Sequence, residues 1–128
     1  MRETKGTIRL GRLELQIMDA VWQGDSATVR EALDRMRPAR HAYSTILTMM
    51  RKLEAKGYLR HETEGRAFRY FPTITQQEVR RSAVSDLLDR LFGGSGRLVV
   101  SHLVEQKQIN RGELDEIRRL IDKRRKGR

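Results

Sequence analysis

The chain has 128 residues and a mass of 15.0 kDa, enough for one ordinary domain or two small ones sharing a core. It contains no cysteine, which excludes disulfide frameworks, thiolate metal sites and cysteine nucleophiles. Its 27 Lys and Arg against 17 Asp and Glu leave a formal net charge of +10, which points to a polyanionic partner.

From the N-terminus, Met1-Arg2-Glu3-Thr4-Lys5-Gly6 lacks the apolar core of a secretory signal. No apolar run in the chain approaches the ~20 residues of a membrane span. The expectations are no membrane insertion and a cytoplasmic location. Leu10, Leu13, Ile17, Ala20 and Val21 then recur at helical spacing with Trp22 at the end, predicting a first helix over about residues 11–23. Glu14, Gln16 and Asp19 are expected on its outer side. Gly24-Asp25 breaks it. Thr28-Val29-Arg30-Glu31 is a capping box, in which hydroxyl and carboxylate each satisfy a free backbone N–H, and it opens a second helix with Val29, Ala32, Leu33 and Met36 inward. Pro38 stops that helix.

A third helix is predicted from Tyr43 to Lys56, with Ile46, Met49, Met50 and Leu53 on one face and His41, Ser44, Thr48, Arg51, Lys52 and Ala55 opposite. Gly57 is placed as the residue that ends it. Tyr58–Glu62 and Ala67–Phe71 read as two strands around the charged tip Thr63-Glu64-Gly65-Arg66, a hairpin closed by Pro72. Phe68 and Tyr70 are expected to face the helices and Arg69 to face out.

Thr75-Gln76-Gln77-Glu78 is a second capping box before a helix carrying Val79, Ala83, Val84, Leu87, Leu88, Leu91 and Phe92, ended by Gly93-Gly94. Leu98, Val99, Val100, Leu103 and Val104 make a short, mostly apolar helix. Asn110, with Glu113 three residues on, caps a last helix with Leu114, Ile117, Leu120 and Ile121 inward. The expected organisation is residues 1–74 as one domain, 75–122 as a second, and 123–128 as a disordered basic tail. The tail Lys123-Arg124-Arg125-Lys126-Gly127-Arg128 carries the whole net charge of the second half, so the folded basic surface belongs to the first half.

Three helices followed by a two-stranded hairpin is the order of a winged helix-turn-helix. The predicted fold class is mainly α with a small β-hairpin: a DNA-binding winged helix plus a C-terminal helical dimerisation domain. The outer stripe of the third helix is small, hydroxylated and basic, with no acid before Glu54, so it can approach phosphates and base edges in a major groove. Ser44, Thr45 and Thr48 are assigned to base edges or the groove and Arg51 and Lys52 mainly to phosphate, with Tyr43 counted among the DNA-contacting residues. Arg66 at the hairpin tip and Arg69 beyond it are assigned to the backbone or the adjacent minor groove, where a guanidinium is favoured. The leucine-rich C-terminal helices cannot all bury their faces against so small a partner, so they are expected to pair with a second copy. The residues assigned to that dimer are Val84, Leu87, Leu88, Leu91, Leu98, Val99, Leu103, Leu114, Ile117, Leu120 and Ile121.

His41, His61 and His102 show no metal-ligand spacing, and no catalytic triad, phosphate loop or paired-carboxylate motif stands out. Neither an enzyme nor a cofactor is expected. Two other readings remain: a basic nucleic-acid binder with little sequence preference, and an adaptor using a winged helix for protein contacts.

Several segments resemble the BlaI/MecI family of penicillinase repressors. Leu13–Trp22 and Thr28–Leu33 are similar to its first two helices, Tyr43–Leu59 to its recognition helix and first wing strand, Glu64–Tyr70 to its wing, and Asp86–Ser95 to the turn in its dimerisation region. The similarity runs in order over about residues 7–122. It implies a homodimeric repressor that binds a pseudo-palindromic operator in double-stranded DNA. In the β-lactam-responsive members it also implies release by a sensor-linked protease cutting the C-terminal domain, near Leu98–Val104 here. The related CopY-type copper repressors use C-terminal cysteines, which this chain lacks, and the basic tail after Asp122 departs from the usual ending.

Overall fold

The computed structural model describes residues 7–126. It divides into two compact units, with the boundary between Ala83 and Val84 rather than at residue 74. The boundary falls inside a helix because the first turns of that helix still belong to the N-terminal core.

In the first unit, α1 (Arg12–Gln23), α2 (Val29–Arg35) and α3 (Tyr43–Ala55) precede a hairpin of β1 (Leu59–Glu64) and β2 (Ala67–Pro72). The strands are antiparallel, with Leu59 opposite Pro72 and Glu64 opposite Ala67. β1 runs two residues closer to the tip than the sequence indicates, while β2 starts at Ala67 as expected and takes in Pro72, leaving Gly65 and Arg66 as the turn. Gly65 has φ +61°, a conformation that glycine adopts without a Cβ penalty. Ala27 and Tyr70 exchange backbone hydrogen bonds of 2.9 and 2.8 Å, so the segment before α2 pairs with β2.

The core of this unit consists of Ile17, Met18, Ala20 and Val21 of α1, Ala27 before α2, Val29 and Ala32 of α2, Ile46, Met50 and Leu53 of α3, and Leu59, Tyr70 and Ile74. The apolar stripes predicted for the three helices supply most of it, with Met49 only partly buried. The helix ends are made as their residues indicate. Thr28 Oγ1 accepts from the Glu31 N–H at 3.2 Å while a Glu31 oxygen accepts from the Thr28 N–H at 3.2 Å. After α3, Gly57 at φ +89° lets the Tyr58 N–H reach the Leu53 carbonyl at 3.0 Å.

Glu14 departs from expectation. It lies on the inner side of α1 and is 3% exposed. A carboxylate is buried there because the Gly11 N–H donates to it at 2.8 Å and Lys56 Nζ at 2.8 and 3.0 Å. Phe68 departs too. Tyr70 is fully buried, but Phe68 is 39% exposed and stacks on His61 with ring centroids 4.1 Å apart.

α4 (Gln76–Leu91) begins at the Thr75/Glu78 capping box, and Val79 packs against the N-terminal core. In the second unit, the Gly94 N–H closes the end of α4 on the Leu88 carbonyl at 2.8 Å, followed by α5 (Gly96–Glu105) and α6 (Arg111–Lys126). Asn110 and Glu113 form the third reciprocal cap, at 2.8 and 3.0 Å. Lys123–Lys126, expected in a disordered tail, continue α6, where cations at a helix C-terminus oppose its partial negative charge. Gly127 and Arg128 lie outside the described residues. No described residue of the second unit is buried. Among the described residues, no helix is long and apolar enough to cross a membrane.

Candidate nucleic-acid interface

The inner stripe of α3 is anchored in the core by Ile46, Met50 and Leu53, so its opposite side must face solvent. Tyr43, Ser44, Thr45, Thr48, Arg51 and Lys52 are all exposed there. The first turn of α3 contains no acid, and its cap residue Ala42 supplies no side-chain acceptor. Its leading N–H groups and positive helix end are therefore compatible with an approaching phosphate. Arg66 is exposed at the hairpin tip. Arg51, Lys52 and Arg66 have no ion-pair partner among the described residues.

Arg69 does not present itself to a phosphate. Its Nε donates to Glu64 at 2.7 Å, Nη1 to Glu31 at 2.8 Å and Ser26 Oγ at 3.1 Å, and Nη2 to Glu31 and Glu64, each at 3.0 Å. A guanidinium has five N–H donors, and all are engaged. The hydrogen bonds to Glu64 and then Glu31 raise the Arg69 pKa above its ordinary value. The same bonds lower both carboxyls: Arg69 is the leading cause for each, and the Thr28 N–H adds to the effect at Glu31.

The opposite side of the hairpin is also tied down. His61 Nδ1 lies 2.8 Å from both carboxylate oxygens of Glu54 on α3. The wing is thus fastened to α3 through His61 and to α2 through Arg69, while its tip extends beyond both ties.

Three further cations border this surface. The Arg30 guanidinium lies 5.5 Å from the Tyr43 ring centroid and steadies that ring at the start of α3. With Arg37, Arg40 and His41 it lines an open depression at the turn between α2 and α3, where Asp34 pairs with Arg37 at 3.4 Å. The sequence signal is the run of arginines at 30, 35, 37 and 40, of which only Arg35 is drawn inward. Arg35 donates to the carbonyls of Ala20 and Ser26 at 2.9 and 2.8 Å. Among the described residues, no group of His, Asp or Glu is arranged to hold a metal ion.

This geometry can be set beside known proteins. The family model described as penicillinase repressor matches residues 10–123. The chain belongs to the penicillinase repressor family. It is 27% identical over 110 residues to the penicillinase repressor of Bacillus licheniformis, spanning 85% of this chain and 86% of the relative. It is 30% identical over 116 residues to the transcriptional regulator BlaI of Mycobacterium tuberculosis, spanning 88% of this chain and 83% of the relative. Among solved structures, the DNA binding domain of the repressor BlaI in solution superimposes with a TM-score of 0.51 at 31% identity, covering 58% of this chain and 92% of that one. Family membership agrees with the winged helix formed by α1 to β2.

The residues assigned to a dimer lie outside that winged helix. Within the single chain, Val84, Leu87, Leu91, Leu98, Leu120 and Ile121 are exposed, from 41% at Leu87 to 69% at Leu91. Leu88, Val99, Leu103, Leu114 and Ile117 are half-buried.

Proposed function

We propose that this chain is a sequence-specific, DNA-binding transcriptional repressor that acts from the cytoplasm as a homodimer and blocks transcription by occupying a pseudo-palindromic operator. The observation that carries this reading is the outer face of α3: an exposed set of hydroxyls and unpaired cations, free of acids over its first turns, beside an arginine-tipped wing. Ser44, Thr45 and Thr48 meet base edges from the major groove, while Arg51, Lys52 and Arg66 meet the backbone, with Tyr43 at the helix entry. The exposed apolar residues of the second unit support the dimer. A folded chain does not leave so many leucines and valines in water, and a two-fold pair presents two recognition helices to two half-sites.

Release by a sensor-linked protease is part of the proposal. Its support is the family resemblance, which implies a cut in the vicinity of Leu98–Val104, and the exposure of Leu98, Val100 and Val104 within α5 of the single chain. Footprinting on the DNA upstream of the chain's own gene tests the binding mode. Two protected half-sites related by a two-fold axis are expected; one continuous, sequence-indifferent protection would refute it.

A further inference from the structure

We propose that Arg69 is a positioning residue for the wing: it contacts no DNA, and instead joins β1, α2 and the segment before α2 so that Arg66 is held at a fixed reach from α3. This rests on the DNA-binding reading above. The first observation is saturation. Glu64, Glu31 and Ser26 take all five Arg69 donors, with two bidentate forks on one planar guanidinium. The second is anchorage. Glu31 also closes the α2 capping box, so this arm of the clamp is set in a helix start rather than on a free side chain. One residue further on, the backbone pairing of Tyr70 with Ala27 fixes β2 to the same segment that carries Ser26.

The third observation is charge. Glu31 and Glu64 are acids near a surface meant for a polyanion, where they would oppose binding. Arg69 neutralises them, with Arg35 also 3.7 Å from Glu31. Their presence is accounted for if their task is to hold Arg69. Beyond this clamp a Cβ added at Gly65 would meet nothing within 4 Å, so the tip owes its placement to the hairpin base. Lysine cannot replace arginine here, because an ammonium keeps the charge but cannot fork to two carboxylates at once.

The test uses the full chain and the duplex that the wild-type chain recovers from a random-sequence pool. Affinities are read by fluorescence anisotropy for R69K and E64Q, each with Arg66 present and in an R66A background. With Arg66 present, R69K is expected to weaken binding about fivefold, a coupling of ordinary size for groups acting as a unit. E64Q, although it removes a negative charge, is expected to weaken binding as well. In the R66A background both effects should fall below about twofold. Glu64 is exposed at the hairpin rim, so E64Q tests the proposal even if R69K fails to fold. Wild-type affinity in both variants, tighter binding by E64Q, or equal losses with and without Arg66 would each overturn the positioning role. If the wild-type chain enriches no sequence, the DNA-binding reading falls and this inference falls with it.

Discussion

Glu14 near the start of α1 and Lys56 at the end of α3 meet at 2.8 Å, although 42 positions apart in the chain. Lys56 also donates to the Arg9 carbonyl at 3.3 Å, so one ammonium gathers the entry to α1 onto the end of α3. Burial pushes the Glu14 carboxyl up, but the Gly11 N–H and Lys56, with Lys52 further off, outweigh it and leave the pKa below its ordinary value of 4.5. The pair fixes the axis of α3 against α1 and therefore the aim of its outer face.

Breaking this pair from one side should destabilise the fold. K56M leaves a nearly buried carboxylate without its cation. The expected loss is about 2 kcal/mol in urea unfolding, below the ~3–5 kcal/mol of a fully buried pair because Lys56 remains partly in water. The double variant E14L/K56M should recover most of that loss, since it removes both charges. An unchanged midpoint for K56M would show that the pair does not hold α3.

Acid should unfold the protein through Glu14, Glu31 and Glu64, whose carboxyls all lie below the ordinary value of 4.5. A carboxyl with a lowered native pKa contributes stability above its unfolded-state pKa and loses it as pH falls through the native value. Thermal midpoints should therefore change little from about pH 7 to about pH 5 and drop progressively below about pH 4.5. The drop should be shallower in E14Q. A drop of equal steepness in E14Q would remove Glu14 from this account.

Thr48 and Arg51 lie on the same exposed face, and the proposed function gives them different tasks. T48A should change which sequences are preferred while altering the mean affinity little. R51A should weaken all sequences alike and lower the slope of log affinity against log salt by about one, the change expected when one phosphate is no longer neutralised. Competition binding against a library of single-base operator variants separates the two. A uniform loss for T48A would remove it from base readout.

Leu91 is the most exposed of the assigned dimer residues, at 69% in the single chain. L91D should therefore leave the chain folded, yet place a charge in an apolar interface between copies. Sedimentation equilibrium should show a monomer, and operator affinity should fall because two linked half-site interactions become one. A dimer mass for L91D would exclude this face as the interface.

Features whose causes are local are legible in the sequence. Three capping boxes, the apolar stripes of α1 to α3, the Gly57 stop and the hairpin each depend on residues a few positions apart. Glu14 reads as solvent-facing because its burial depends on Lys56, a distant residue that nothing in the α1 pattern indicates. Arg69 reads as a DNA-facing cation for the same reason: Ser26, Glu31 and Glu64 come from three separate segments. Phe68 follows the alternation of β2 correctly, but the hairpin reaches past the helices towards its tip, so His61 serves as its neighbour instead. The α6 continuation through Lys126 is hidden by a charge run that reads as tail in composition but suits a helix C-terminus.

Specific operator binding can be read in a single titration. Labelled DNA from just upstream of the chain's own gene is compared with a scrambled duplex by fluorescence anisotropy over a salt series. A preference of ~10³ or more for the upstream duplex is expected at physiological salt. Equal affinity for both duplexes, falling steeply and in parallel with salt, would contradict it and leave a general basic nucleic-acid binder.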